Sequence, residues 1–148
     1  MWKAIFKTDL SITPTILRIV LGVVMFPHGA QKLLGWFGGY GYAATMQFFT
    51  QNMKIPAVFA LLAIVAEFFG ALGLILGVGT RIAALGIGAV MVVAVFTSHL
   101  GNGFFMNWAG NLKGEAFEYH ILAAGIALAL LVAGGGRYSI DRRIGDRL

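Results

Sequence analysis

The chain has 148 residues, is 59% apolar and only 11% charged, and its mean hydropathy is +0.84. A soluble domain carries about a quarter charged residues, so these values exclude a water-soluble enzyme, a disordered tail and a secreted disulfide scaffold. Cysteine is absent, which removes disulfides, thiolate metal sites and redox dithiols. The net charge of +5 does not point to nucleic acid, because the cations sit at the ends of apolar segments, where they orient membrane proteins.

These features predict an all-α integral membrane protein: a single domain over residues 1–148, folded as a four-helix bundle. Roughly 20 apolar residues cross a bilayer as a helix. Four such stretches occur, at about residues 15–34, 57–78, 81–100 and 118–133. A short arm with Lys3 and Lys7 precedes the first span, with Thr13 as its expected N-cap and Pro14 as its first helical residue. Arg18 within the run, and the lack of a small-residue cleavage site, separate this span from a signal peptide. The connection 35–54 is rich in glycine and aromatics, with Trp36, Phe37, Tyr40 and Tyr42 at headgroup level. Residues 45–52 within it read as a short interfacial helix.

Pro56 opens the second span, and Gly79 and Thr80 turn the chain into the third, which starts at Arg81. A second glycine and aromatic connection, 101–117, leads into the fourth span. That span ends at Gly134-Gly135-Gly136 and is followed by a tail with Arg137, Arg142, Arg143 and Arg147. Lys3, Lys7, Arg81 and the tail arginines fall on one side, and Lys54 and Lys113 on the other. The positive-inside rule therefore places both termini in the cytoplasm and both aromatic loops outside.

Glu67 lies near the middle of the second span, roughly 15 Å from each interface at 1.5 Å per residue. A charge at that depth costs at least ~2.5 kcal/mol on insertion scales. Its neighbours at helical spacing, Ala60, Ala63, Gly70 and Ala71, are small, whereas Leu61, Val65, Phe68, Leu72 and Leu76 cover the opposite face. Small residues mark helix contacts in membranes, so Glu67 is expected to face the bundle interior. His28 and Lys32 share one face of the first span, next to Gln31 and the helix-breaking Pro27. His99 ends the third span, and Glu118 and His120 begin the fourth.

His28, Gln31, Lys32, Glu67, His99, Glu118 and His120 thus come from all four spans and lie in the outer half or at its rim. The inner half has only Arg18 and Arg81, read as structural polar residues. This lopsided polarity predicts a ligand pocket opening outward. Each residue also has a plainer reading: Lys32 snorkelling to the headgroups, Glu67 locking helix packing, and the others lying in the interface. If Lys32 or His28 reaches Glu67, the carboxylate is paired; otherwise it is a neutral acid.

No metal centre is expected. A bis-histidine haem needs histidines at matched depth, and His28 lies deep where His99 lies near the surface. No phosphate loop, nucleophile elbow or Rossmann fingerprint occurs, so there is no haem or flavin motif. Gly73-xxx-Gly77 and Ala66-xxx-Gly70 read as packing motifs. The order arginine, Gly-x-Val-Met, histidine occurs twice, as Arg18, Gly22 to Met25, His28 and as Arg81, Gly88 to Met91, His99. Two related hairpins are one reading of that order.

The stretch Leu17-Arg18, Gly22 and His28-Gly29-Ala30-Gln31-Lys32-Leu33, then Glu67 with Gly70, Gly79-Thr80-Arg81 and Gly136-Arg137-Tyr138-Ser139-Ile140-Asp141, resembles the DoxX family over nearly the whole chain. The resemblance implies a multi-pass four-helix bundle in the bacterial plasma (inner) membrane, with roles for His28, Gln31, Lys32, Glu67 and Arg81. The family's name-giving members resemble the membrane subunit of a thiosulfate:quinone oxidoreductase. Others associate with superoxide dismutase and a sulfurtransferase in a membrane oxidoreductase complex.

The function expected is therefore a membrane subunit of an oxidoreductase system that binds quinone or another apolar ligand. His28 and Lys32 would serve as donors to its carbonyls, and His and Glu as proton carriers. Partner oxidoreductase subunits would supply the electrons, and membrane lipid surrounds the bundle. Two other readings stand beside this one: a non-catalytic anchor or assembly subunit, and a small proton-coupled transporter. A homo-oligomer is left open.

Overall fold

A computed structural model describes residues 5–147, so Lys3 of the N-terminal arm lies outside the described residues. Within them all regular structure is helical. Helix α1 spans Thr13–Leu34. Helix α2 spans Gly41–Gln47 and continues in a π-helical turn, Phe48–Asn52. Helix α3 spans Ala57–Leu76. Helix α4 spans Thr80–Ala94 and continues through a π-helical turn, Val95–His99, and a 3₁₀ turn, Leu100–Asn102. Helix α5 spans Glu118–Ala133, and α6 spans Ile140–Gly145.

Helices α1, α3 and α4 with its continuation are long and apolar enough to cross a membrane. Helix α5 is apolar but has 16 residues, about 24 Å of helix. Backbone without helix is tolerated at membrane depth where protein covers it. Both ends of α5 meet that condition, because Ala116 and Gly134 to Gly136 are buried.

Several boundaries differ from expectation. Ile12, not Thr13, is the N-cap of α1, and no side chain caps it. The interfacial helix starts at Gly41, four residues earlier than its predicted start. Helix α3 stops at Leu76 because Gly77 takes a left-handed φ of 72° and the Val78 amide bonds back to the Gly73 carbonyl at 2.9 Å. Gly73 and Gly77 therefore terminate a helix, and Gly77 also packs as expected: a Cβ there would stand 2.7 Å from the Ser139 Cβ. Ala66 does pack, with its Cβ facing Gly86 of α4. Phe68, expected to face lipid, is half-buried against Phe26.

The four long helices close a ring in which α1 packs on α3, α3 on α4, α4 on α5 and α5 on α1. Neighbours are antiparallel: along α1, Gly22 meets Ala71 and Ile75, and Gly29 meets Glu67 and Phe68. The core is Leu21, Met25, Leu74, Ile87 and Leu130 set among alanines. Large apolar side chains such as Val23, Leu62, Phe69, Leu85 and Leu128 point outward, as lipid contact requires.

The bundle has two different ends. The terminal end holds the Gly77 to Thr80 turn and the segment after α5. There the buried Arg18 donates to the carbonyls of Leu74 (2.8 Å), Ile75 (2.6 Å), Gly135 (2.9 Å) and Tyr138 (2.8 Å). The first two belong to the last turn of α3, which has no helical donors of its own. Asp141, 1% exposed, accepts from the amides of Gly79 (2.7 Å) and Thr80 (2.8 Å), where α4 begins. The loop end holds α2 and the 103–117 connection.

Two measurements check this frame. Arg18→Met removes a charged donor from four carbonyls, of which Leu74 keeps the Gly77 amide, and bonds to charged donors are worth ~1.5–3 kcal/mol each. The variant should lose about 3 kcal/mol or more in an unfolding titration in detergent, and an unchanged midpoint would contradict the capping role. For topology, four crossings and the Lys/Arg bias together predict that a reporter active only outside the cytoplasm is silent at the C-terminus and active near Asn111.

Candidate functional site

The site begins with a missing side chain. At Gly29 the backbone of α1 touches that of α3: a Cβ there would stand 2.5 Å from the Phe68 Cα and 2.6 Å from the Glu67 carbonyl carbon. Lys32 is three residues further on, on the same side of α1. Its Nζ lies 2.5 Å from Glu67 Oε2. The Glu67 side chain is 5% exposed and that of Lys32 is 27% exposed, so the carboxylate is sealed while the ammonium reaches open space. Lys32 is the only group found against Glu67 Oε2 among the described residues.

The open space is a cavity of about 610 Å³. It exists because α3 and α4 present alanines there, Ala60 and Ala63 against Ala89 and Ala94, and nothing fills the volume between them. Phe48, Phe49 and Met53, from the turn after α2, cover it from the loop end. Most of the lining is apolar, and the ionisable groups come from α1, α3, α5, the end of α4 and the 103–117 connection.

Helix α4 contributes His99 through its π-helical turn. In a regular helix, residues seven apart share a face, so Ser98 would follow Met91 inward. The turn holds one extra residue per turn and shifts the register by one. His99 therefore meets His120 of α5, with ring centroids 4.1 Å apart. His99 Nδ1 donates to the Glu115 carbonyl at 2.8 Å. His120 is 8% exposed, and its Nδ1 is buried without a partner. Tyr119 stands between His120 (5.5 Å) and His28 (6.3 Å) by ring centroids, and its hydroxyl donates to Met25 Sδ at 3.4 Å.

Five residues singled out by sequence, His28, Lys32, Glu67, His99 and His120, line this cavity. Gln31 and Glu118 do not. Gln31 donates to the Phe37 carbonyl at 3.1 Å and pins the connection to α2. Glu118 precedes His120 by two positions, about 200° around the helix, and so points away from the side where His120 enters. Tyr119 and Glu115 line the cavity and were not selected. Tyr119 borders the selected pair, so helical spacing inward from His120 through Ala123 and Ala127 could have chosen it over Glu118. Arg18 and Arg81 lie at the terminal end, away from the cavity; Arg81 donates to the carbonyls of Leu131 and Lys7. Among the described residues no three His, Asp or Glu side chains converge as a metal ion would need.

The Lys32–Glu67 pair makes a direct prediction. Lys32→Met or Glu67→Gln alone leaves one buried charge without its partner, whereas the double variant removes both. In a double-mutant cycle on thermal stability the pair should show a coupling of about 1–3 kcal/mol. Additive losses would mean that the two groups do not sense each other.

Comparison with known proteins places this arrangement. The inner membrane protein YqjF of Escherichia coli (strain K12) is 31% identical over 113 residues, which cover 76% of this chain and 82% of that protein. A protein of Bacillus subtilis (strain 168) bearing the name "Putative oxidoreductase CatD" is 30% identical over 115 residues, covering 78% and 75%. The inner membrane protein YphA of Escherichia coli (strain K12) is 29% identical over 132 residues, covering 86% and 87%. No solved structure matches the chain at a significant level. The spans and these relatives make it a multi-pass protein of the bacterial inner membrane. The model of the DoxX family matches residues 13–100, the stretch that carries His28, Lys32, Glu67 and His99, and the chain belongs to the DoxX family.

Proposed function

We propose that the chain is the membrane subunit of an oxidoreductase system and that its cavity takes quinone or a comparable apolar ligand bearing carbonyls. One observation carries the reading: a largely apolar cavity of about 610 Å³ into which the four long helices send a few polar groups. Sites for small molecules are concave, mostly apolar and about 300–1,000 Å³, with a few placed polar groups. A relative that bears the name of an oxidoreductase adds support.

The residues present fit such a group. A quinone supplies two-electron, two-proton chemistry when bound. The Lys32 ammonium, open to the cavity, is a donor for one carbonyl oxygen, and the unpartnered Nδ1 of His120 is a polar atom in want of a hydrogen bond. Ala60 and Ala63 leave room for a flat ring or an isoprenoid chain, and Phe48 and Phe49 add apolar walls at the loop end. The chain has no cysteine, so partner subunits would deliver the electrons. With the termini in the cytoplasm, the cavity opens in the outer half of the membrane.

A second reading, a non-catalytic anchor, draws on the Lys32–Glu67 pair as a clasp between α1 and α3. Ligand binding separates the two. Solvent extraction of purified protein should yield quinone by mass spectrometry. A short-chain quinone at a hundred times its Kd should stabilise the folded protein by about 2.7 kcal/mol. Ala63→Phe fills the cavity and should abolish that gain while the protein stays folded. No extracted quinone and no stabilisation of the wild type would favour the anchor.

A further inference from the structure

We propose that the Lys32–Glu67 pair exchanges protons with the loop end of the bundle only, by way of His28, Tyr119, His120 and His99. The inference goes beyond the ligand reading and does not depend on quinone.

The route is a continuous run of titratable rings. His28 neighbours Tyr119 at 6.3 Å, Tyr119 neighbours His120 at 5.5 Å, and His120 neighbours His99 at 4.1 Å, centroid to centroid. His99 ends the run at the Glu115 carbonyl in the 103–117 connection, where the chain is exposed. All four rings and the ion pair line one cavity, so water molecules can fill the gaps that the rings do not bridge. The titratable groups that line the cavity with Glu67 are Lys32 and His28 from α1, Tyr119 and His120 from α5, His99 from the end of α4 and Glu115 from the connection; the turn after α2 presents only apolar side chains.

Toward the terminal end no such run occurs among the described residues. Below Glu67 the interior is Leu21, Ala71, Leu74, Ile87 and Leu130, all buried and none titratable. The next polar side chain is Arg18, whose bonds all go to backbone carbonyls. Both carboxylate oxygens of Asp141 accept from backbone amides. Helices α1 and α3 touch through backbone at Gly22 and Gly29, which leaves no space for water between them.

The proton bookkeeping is simple. His99 Nδ1 faces a carbonyl and so carries a hydrogen, which leaves Nε2 as the acceptor. A proton taken there leaves from the same nitrogen and passes, through water in the cavity, to His120, the Tyr119 hydroxyl and His28, each group taking one proton and giving one up. It ends on the Glu67 carboxylate, which becomes a neutral acid and releases Lys32. The ammonium is left charged in the cavity, where its exposure lets water solvate it.

The experiment needs no ligand, so failure of the ligand reading and failure of this one are distinguishable. An acid jump on purified protein, followed by time-resolved infrared spectroscopy, reads the carboxylic acid band of Glu67, assigned as the band absent from Glu67→Gln. His99→Gln and His120→Gln keep a polar side chain but cannot relay. Each should slow the rise of the band about tenfold or more while leaving its final amplitude unchanged. In proteoliposomes sorted by cleavage of a C-terminal tag, an external acid step should raise the band quickly only where the loop end faces the medium. Unchanged rates in both glutamine variants, or equal rates from the two faces, would overturn the proposal.

Discussion

The approach of α1 to α3 at bare backbone sets the geometry of everything else. Gly22 and Gly29 are two helical turns apart on one face. A Cβ at either would stand within 3 Å of α3: 2.8 Å from Ile75 Cγ1 at Gly22 and 2.5 Å from Phe68 at Gly29. Membrane helices gain little from apolar burial against each other and associate through close packing. The glycines permit that closeness, and it has two consequences. It brings the Lys32 ammonium within ion-pair distance of a glutamate buried near mid-helix. It also fixes where the bundle is tight and where it is loose, because the seam ends at Gly29 and the cavity opens beyond it, where α3 offers the small side chains of Ala60 and Ala63.

The terminal end is closed by a second device, used twice. An arginine near the start of one helix caps the last carbonyls of its antiparallel neighbour: Arg18 of α1 caps α3, and Arg81 of α4 caps α5. One histidine from each of the same helices, His28 and His99, reaches the cavity at the other end. The repeated order of arginine and histidine in the sequence thus corresponds to repeated duties in two hairpins, α1–α3 and α4–α5. The segment after α5 joins them. It lends Arg18 the carbonyls of Gly135 and Tyr138 and lends α4 the carboxylate of Asp141, a negative charge at a helix N-terminus.

Much of this was legible in the sequence. Hydropathy located the four helices, and the stripe of small residues around Glu67 told which way it faces. What was not legible depends on geometry that composition does not carry. Nothing in Val95 to His99 announces a π-helical turn, yet that turn decides whether Ser98 or His99 meets His120. Gly73 and Gly77 have the spacing of a packing motif, yet they also end a helix, and Gly77 packs on Ser139 rather than on another span. Gly22 and Gly29, seven apart, do the packing. Asp141 lies in a segment whose composition is that of a polar tail, yet it is among the most buried side chains in the protein.

The pairing of a buried charge with an unfilled space bears on function. A buried ion pair is a weak source of stability, since well-packed apolar residues of similar size often serve as well or better. An unfilled apolar cavity forfeits the contacts its walls could have made. Helices α1 and α3 are already joined by the glycine seam and by Arg18, so a bundle selected only for holding together would gain by filling the Ala63 region and replacing Lys32 and Glu67. Instead the two costly features adjoin each other, with an unpartnered His120 nitrogen in the same wall. Local departures from what stability favours are expected where a protein does its work. Their concentration at one end of α1, α3 and α5, while the charges of the other end cap helices, is the physical support for the ligand site proposed at the cavity.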